Sequence, residues 1–158
     1  MKRLTLLGFL AFSVFLENAN ASHKTKFSAY VTCAKVGGLV DGGVFDSQKD
    51  LTNALSGEGF RIASSPQDAD IVLTITGRFT GYQIASINRG VSGGFYPPNM
   101  PIVANWRYVF VHLQAGKFEK SWPSYSKSWR GCSSHLAKEF KKFARANESE
   151  ILARRGMR

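Results

Sequence analysis

Between Asp46 and Arg78 the chain reads DSQKDLTNALSGEGFRIASSPQDADIVLTITGR, and here local signals follow one another in an order that few folds accommodate. Leu51, Ala54 and Leu55 have the i, i+3, i+4 spacing of a helix with one buried side, and Asp46 or Ser47 can cap its start. Gly57 and Gly59 supply the left-handed conformation that ends helices. Phe60 and Ile62 then alternate with Arg61 and Ala63, which predicts a short half-buried strand. Ser65-Pro66-Gln67-Asp68 combines a cap residue, a proline at the first helical position and a carboxylate three residues after the cap, predicting a one-turn helix start. Ile71, Leu73 and Ile75 follow at period two as a second strand. Signals that agree in this way mark a folding unit. They specify no chemistry.

On either side of this unit the pattern continues. Phe27, Ala29 and Val31 alternate with Ser28, Tyr30 and Thr32, predicting a strand over Lys26 to Cys33. Val36 to Val44 holds four glycines and reads as an irregular connection; it lacks the trailing Lys-Ser/Thr of a phosphate-cradling loop. Residues 79–105 form a long Gly/Pro/aromatic loop, in which Gly-Gly-Phe-Tyr-Pro-Pro sustains neither a helix nor a central strand. Trp106 to Gln114 alternates strongly, Ala115-Gly116-Lys117 predicts a hairpin turn, and Phe118 to Trp122 returns until Pro123 interrupts. Ser124 to Trp129 reads as an edge strand or an extended loop. Ser133 or Ser134 can cap a last helix running to about Arg154, in which Leu136, Phe140, Phe143, Asn147 and Ile151 follow helical spacing. The order β-α-β-β-loop-β-β-α predicts an α+β, two-layer sandwich: a mainly antiparallel sheet with two helices on one face. The other face would carry Tyr30, Thr74, Thr76, Trp106, Tyr108 and His112, either as a contact surface or as a floor across which the long loop folds.

The N-terminus predicts a destination. Lys2 and Arg3 precede a mostly apolar run from Leu4 to Leu16, and Ala19-Asn20-Ala21 is a small-x-small cleavage site, so residues 1–21 read as a cleaved signal peptide. The apolar run is too short for a permanent membrane anchor, and no transmembrane segment is expected after cleavage. Residues 22–158 then form a single α+β domain, exported to the periplasm or secreted. The chain carries a net charge of +10, which favours anionic partners such as a phosphate-bearing envelope surface or an acidic protein. Cys33 and Cys132 are its two cysteines, and in an exported chain such a pair is expected to be bridged, tying the first strand to the last helix.

The stretch 47–78, with an amphipathic helix, "GFR" opening a strand and "ADIVL" before a "TGR" strand end, resembles the helix–strand–strand unit of the curli-export lipoprotein family and of the N-terminal domain of the Tol-system translocation protein. "VFVHLQAGKFEKSW" followed by a cysteine-led basic helix is similar to uncharacterised exported bacterial proteins. The resemblance spans about a third of the mature chain and implies an envelope location and an α/β layer used for assembly or binding. It carries over no catalytic residues. The absence of a lipidation cysteine departs from the lipoprotein members.

Reactive groups are sparse. His23 lies near the new N-terminus, and His135 falls in the expected first turn of the last helix, where the helix dipole disfavours an imidazolium. His112 on the aromatic strand is the one candidate base. Asp46, Asp50, Asp68 and Asp70 are accounted for by caps and turns. No GxSxG, HExxH or paired CxxC motif occurs, so no catalytic set, metal or cofactor is expected. Tyr82, Phe95, Tyr96, Trp106, Tyr108 and His112 are the expected partner surface. Lys138, Lys141, Lys142 and Arg145 on the last helix are expected either to contact anions or to form a solvated face on a core-packed helix. Basic and aromatic residues interleave best at Trp122, Tyr125, Lys127, Trp129 and Arg130, but export argues against a specific nucleic-acid partner. The sequence thus favours an exported, noncatalytic binding or assembly component of the bacterial envelope. The competing classes are a small hydrolase using His112 with a loop carboxylate, and a basic protein of anionic membrane surfaces.

Overall fold

The computed structural model describes residues 25–34, 42–82 and 101–153. The expected signal peptide (residues 1–21), His23, Gly37, Gly38, Phe95, Tyr96 and most of the long loop lie outside the described residues. The elements are β1 (Ser28–Cys33), α1 (Gly42–Gly57), β2 (Arg61–Ile62), a single 3-10 turn (Pro66–Asp68), β3 (Ile71–Thr80), β4 (Arg107–Ala115), β5 (Phe118–Ser126), α2 (Trp129–Ala146) and a short α3 (Glu148–Leu152). One five-stranded sheet has the order β2-β1-β3-β4-β5. The longer pairings, β3–β4 and β4–β5, are antiparallel, while β1 runs parallel to both β2 and β3. The sheet is therefore mixed, because α1 acts as a crossover that returns the chain in its original direction.

Both main helices lie on one sheet face. Leu51 and Leu55 of α1, and Leu136 and Phe140 of α2, share one core with Val31, Leu73, Ile75, Val111 and Leu113 from alternate strand positions. Trp122 meets Phe140 edge-on, with ring centroids 5.4 Å apart. The helices run side by side in the same direction, joined by Asp50–Arg130 at 3.6 Å near one end and Glu58–Lys141 at 3.0 Å near the other. Gln48 ties α1 to β1: its amide donates to the Val31 carbonyl at 2.8 Å, and its oxygen accepts from the Cys33 thiol at 3.3 Å.

Several boundaries differ from the sequence reading, each for an identifiable reason. α1 begins at Gly42, so its first turn takes in residues expected to be irregular, and the Gly43 carbonyl is held by the Arg78 guanidinium. α2 is capped by Ser128, whose hydroxyl accepts from the Gly131 amide at 3.0 Å. Ser47 and Ser133, expected as caps, are instead buried inside the helices, with no hydrogen-bond partner for either hydroxyl among the described residues. β2 is only two residues long and both are exposed, so the segment is held by the buried Phe60 ring and by the Arg61 and Ala63 amides, which donate to the Phe27 and Ala29 carbonyls. β5 continues through Pro123 to Ser126; among the described residues its outer side has no strand neighbour, and an edge strand tolerates the missing N–H.

The tight connections follow their residues. Ser65 accepts from the Asp68 amide, and Pro66 opens the one-turn helix as predicted. Ala115 pairs with Phe118, leaving Gly116-Lys117 as a two-residue turn with Gly116 at φ +59° and Lys117 at negative φ, the pattern of a type II′ hairpin.

The cysteines correct an expectation. Both are free thiols, and they point to different partners: Cys33 to the Val44 carbonyl and Gln48, Cys132 to the Arg107 carbonyl at 3.3 Å. Cys33 closes β1, near the middle of β3, whereas Cys132 lies over the start of β4. No disulfide ties the first strand to the last helix.

Candidate contact surface

The sheet face opposite the helices divides into two regions. Across its middle run Thr32, Thr74, His112 and Ser121, with Glu119 at the hairpin end, giving a polar surface. At the end formed by the close of β3, the start of β4 and the close of β5, aromatic residues gather. Tyr108 and Phe110 form a second small core with Phe79 and Trp106. Trp106 lies 5.3 Å from Tyr125, and Tyr108 lies 6.0 Å from the same ring.

Residues 101–106 close over this end. The Tyr108 hydroxyl donates to the Pro101 carbonyl at 2.8 Å and accepts from the Val103 amide at 2.7 Å. Gly81 donates its N–H to the Trp106 carbonyl, and a Cβ at Gly81 would stand 2.0 Å from the Val103 carbonyl oxygen, so the backbones meet at a distance only glycine permits. Around this joint Tyr82 (63% exposed), Ile102, Val103 and Tyr125 (37%) present apolar surface to solvent. The Tyr82 hydroxyl reaches Asn105 at 3.3 Å.

The expected partner surface is thus assembled only in part. Tyr82 and Trp106 stand at one end of the open face. Tyr108 does not contribute contact surface: it is fully buried, because its hydroxyl is the tether for the returning chain. His112 lies away from the aromatic end, opposite Thr74 on β3. Ile102, Val103 and Tyr125 lie outside the expected partner surface: Tyr125 belongs to the stretch read as an edge strand or an extended loop, and is in fact on β5, while the aliphatic pair belongs to a segment without periodicity.

His112 has two neighbours on β5. Its Nε2 lies 3.0 Å from Glu119 Oε1, and its Nδ1 lies 3.4 Å from Ser121 Oγ. Hydroxyl, imidazole and carboxylate therefore follow one another in the order a hydrolytic triad uses. The carboxylate comes from a strand rather than a loop, and all three groups stand on an open sheet face with Glu119 largely exposed to water. In the helix layer, the Ser124 hydroxyl meets the Cys132 carbonyl at 3.1 Å and His135 Nδ1 at 3.2 Å. His135 is the seventh residue of α2, past the first turn where the dipole acts most strongly.

The expected anion contacts also separate. Lys141 is 14% exposed and paired with Glu58, so it is a structural cation between the helices rather than a surface contact. Lys142 pairs with Glu139 three residues earlier, and its hydrogen bond holds the Glu139 carboxyl below the usual range. Lys138 and Arg145 are exposed, with no ion-pair partner among the described residues. Arg78 of β3 and Arg107 of β4 are also engaged, against Trp129 at the start of α2: Arg78 stacks on the ring at 4.0 Å and pairs with Asp46, and Arg107 lies 5.5 Å from the same ring.

The acids are structural. Asp70 accepts from both the Ser28 amide at 2.7 Å and the Ser28 hydroxyl at 2.8 Å, while its own amide donates back to Ser28, locking β1 to the start of β3. Asp68 bonds Ser65, and Asp50 pairs with Arg130. Among the described residues no group of three or more His, Cys, Asp or Glu is placed to hold a metal ion, and no helix is long and apolar enough to cross a membrane. No protein-family model matches the chain, and no curated protein matches it.

Proposed function

We propose that this protein is an exported, noncatalytic binding or assembly component of the bacterial cell envelope, with its partner surface at the aromatic end of the open sheet face. The observation that carries this reading is the group formed by Tyr82, Ile102, Val103 and Tyr125: exposed apolar side chains set around half-buried Trp106 on a hydrogen-bonded joint between strands. Apolar groups gathered on a rigid element, with polar surface beside them, suit recognition of a protein surface. The signal-like N-terminus and the resemblance of residues 47–78 to envelope assembly proteins support the location.

One arrangement favours a second reading. Ser121, His112 and Glu119 stand in triad order, which would suit a small secreted hydrolase. Capture from envelope extract separates the two. Tagged protein carrying Tyr82→Ser and Tyr125→Ser should lose its specific partner by tenfold or more, while His112→Ala retains it; both should keep their circular dichroism spectra. Retention by the double variant, together with loss of activity in His112→Ala, would select the hydrolase.

A further inference from the structure

We propose that the outer face of the helix layer docks on an anionic lipid surface, so that the aromatic end of the opposite face is left free for the protein's partner. The inference rests on the envelope reading above and adds a second, separate surface. Its basis is how charge is distributed. Each carboxylate among the described residues has a hydrogen-bond or ion-pair partner within the protein, from Asp46 with Arg78 to Glu150 with Lys117. The exposed cations with no acidic partner among the described residues are Arg61, Lys120 (over the Trp122 ring) and Lys127, on or beside the two edge strands, and, on helices α1 and α2, the group Lys49, Lys138 and Arg145.

The geometry gathers them on one surface. The core occupies the sheet side of both helices, so the exposed positions of α1 and α2 face away from it together. On α2, Lys138, Lys142 and Arg145 follow one another at i, i+4 and i+7, spanning about 10 Å along the axis. On α1, Phe45 and Lys49 are one turn apart, and the Phe45 ring is 60% exposed. Two side-by-side helices carrying uncompensated cations and one projecting aromatic ring match a surface of phosphate headgroups over acyl chains: charge supplies attraction, and the ring enters the interface. The open sheet face offers no such grouping: Arg61 stands at its β2 edge, and His112 lies beside Glu119 near the other edge.

Cosedimentation of the purified protein with vesicles tests this. Binding is expected to vesicles of equal phosphatidylglycerol and phosphatidylcholine, to be weak on phosphatidylcholine alone, and to fall steeply with added salt. Lys138→Gln with Arg145→Gln should weaken it by roughly 20- to 30-fold, about fivefold per charge. Arg61→Gln, which removes one exposed cation from the sheet edge, should change it less than twofold. Phe45→Ser should remove most of the binding that persists at high salt. Equal losses with Arg61→Gln and with single substitutions at Lys138 or Arg145 would show attraction by net charge alone and overturn the proposal, as would binding indifferent to the anionic lipid. Capture through Tyr82 and Tyr125 is read separately. Vesicle binding without capture would leave this inference standing and sink the partner surface, and the converse would do the opposite.

Discussion

Cys132 shows how opposing effects settle on a single side chain. It is the fourth residue of α2, and the positive charges of Arg78 and Arg107 favour its thiolate. Burial outweighs them and pushes the thiol from an ordinary 9.0 up to about 11. Burial raises Cys33 as well. Below pH 9 the folded and unfolded chains both keep the Cys132 proton, so the group has no effect on stability. Between about 9 and 11 the unfolded chain loses a proton that the native state retains, and stability falls as pH rises. Melting curves at pH 8 and near pH 10.5 should therefore show a smaller alkaline loss in Cys132→Ala than in the parent, and titration under denaturing, non-reducing conditions should count two thiols. Equal alkaline losses, or a bridged pair, would contradict this assignment. The cysteines were misread because pairing was argued from the exported setting, whereas bridging needs close approach, and their thiols point to different backbone carbonyls.

At the scale of the element, periodicity located what is buried but not what covers the remainder. The faces of α1, β3, β4 and α2 follow from the spacing of Leu51, Ile71, Val109 and Leu136, because each apolar position must reach the same core. The Gly116 turn and the Ser65 cap were equally legible, since each depends on one residue's own conformational or hydrogen-bonding preference. The course of β5 was not fully so, since the residues after Pro123 read equally as an edge strand or an extended loop: Pro123 signals a break only when both sides of a strand need hydrogen bonds. Nor was the role of Tyr108. Alternation put it on the open face correctly, but its burial depends on residues 101–106, whose docking is fixed by two hydrogen bonds and the close approach at Gly81. Tyr108→Phe removes both bonds and leaves polar backbone groups without a partner, which should cost about 1–3 kcal/mol. Denaturant unfolding measures that loss, and faster amide exchange at Val103 should accompany it. An unchanged midpoint with unchanged exchange would show that the segment is held by something else.

For the whole molecule, the division of labour between faces is the result that matters most. One sheet face is occupied by two side-by-side helices; among the described residues no helix covers the other, which is polar through its middle and aromatic at one end. The candidate site could be read from the sequence only as a collection of aromatics, of which Tyr82 and Trp106 were brought together and Tyr108 was taken into the interior. Its completion by Ile102, Val103 and Tyr125 is a product of the fold, which joins three chain segments distant in sequence. Site-specific photocrosslinking in intact cells tests this claim most directly. A photoreactive residue replacing Tyr125 should form a discrete protein adduct that disappears with Tyr82→Ser, whereas the same residue replacing Gln114, exposed at the opposite end of β4, should form none. Adducts at Gln114 of equal strength, or none at Tyr125, would contradict the account.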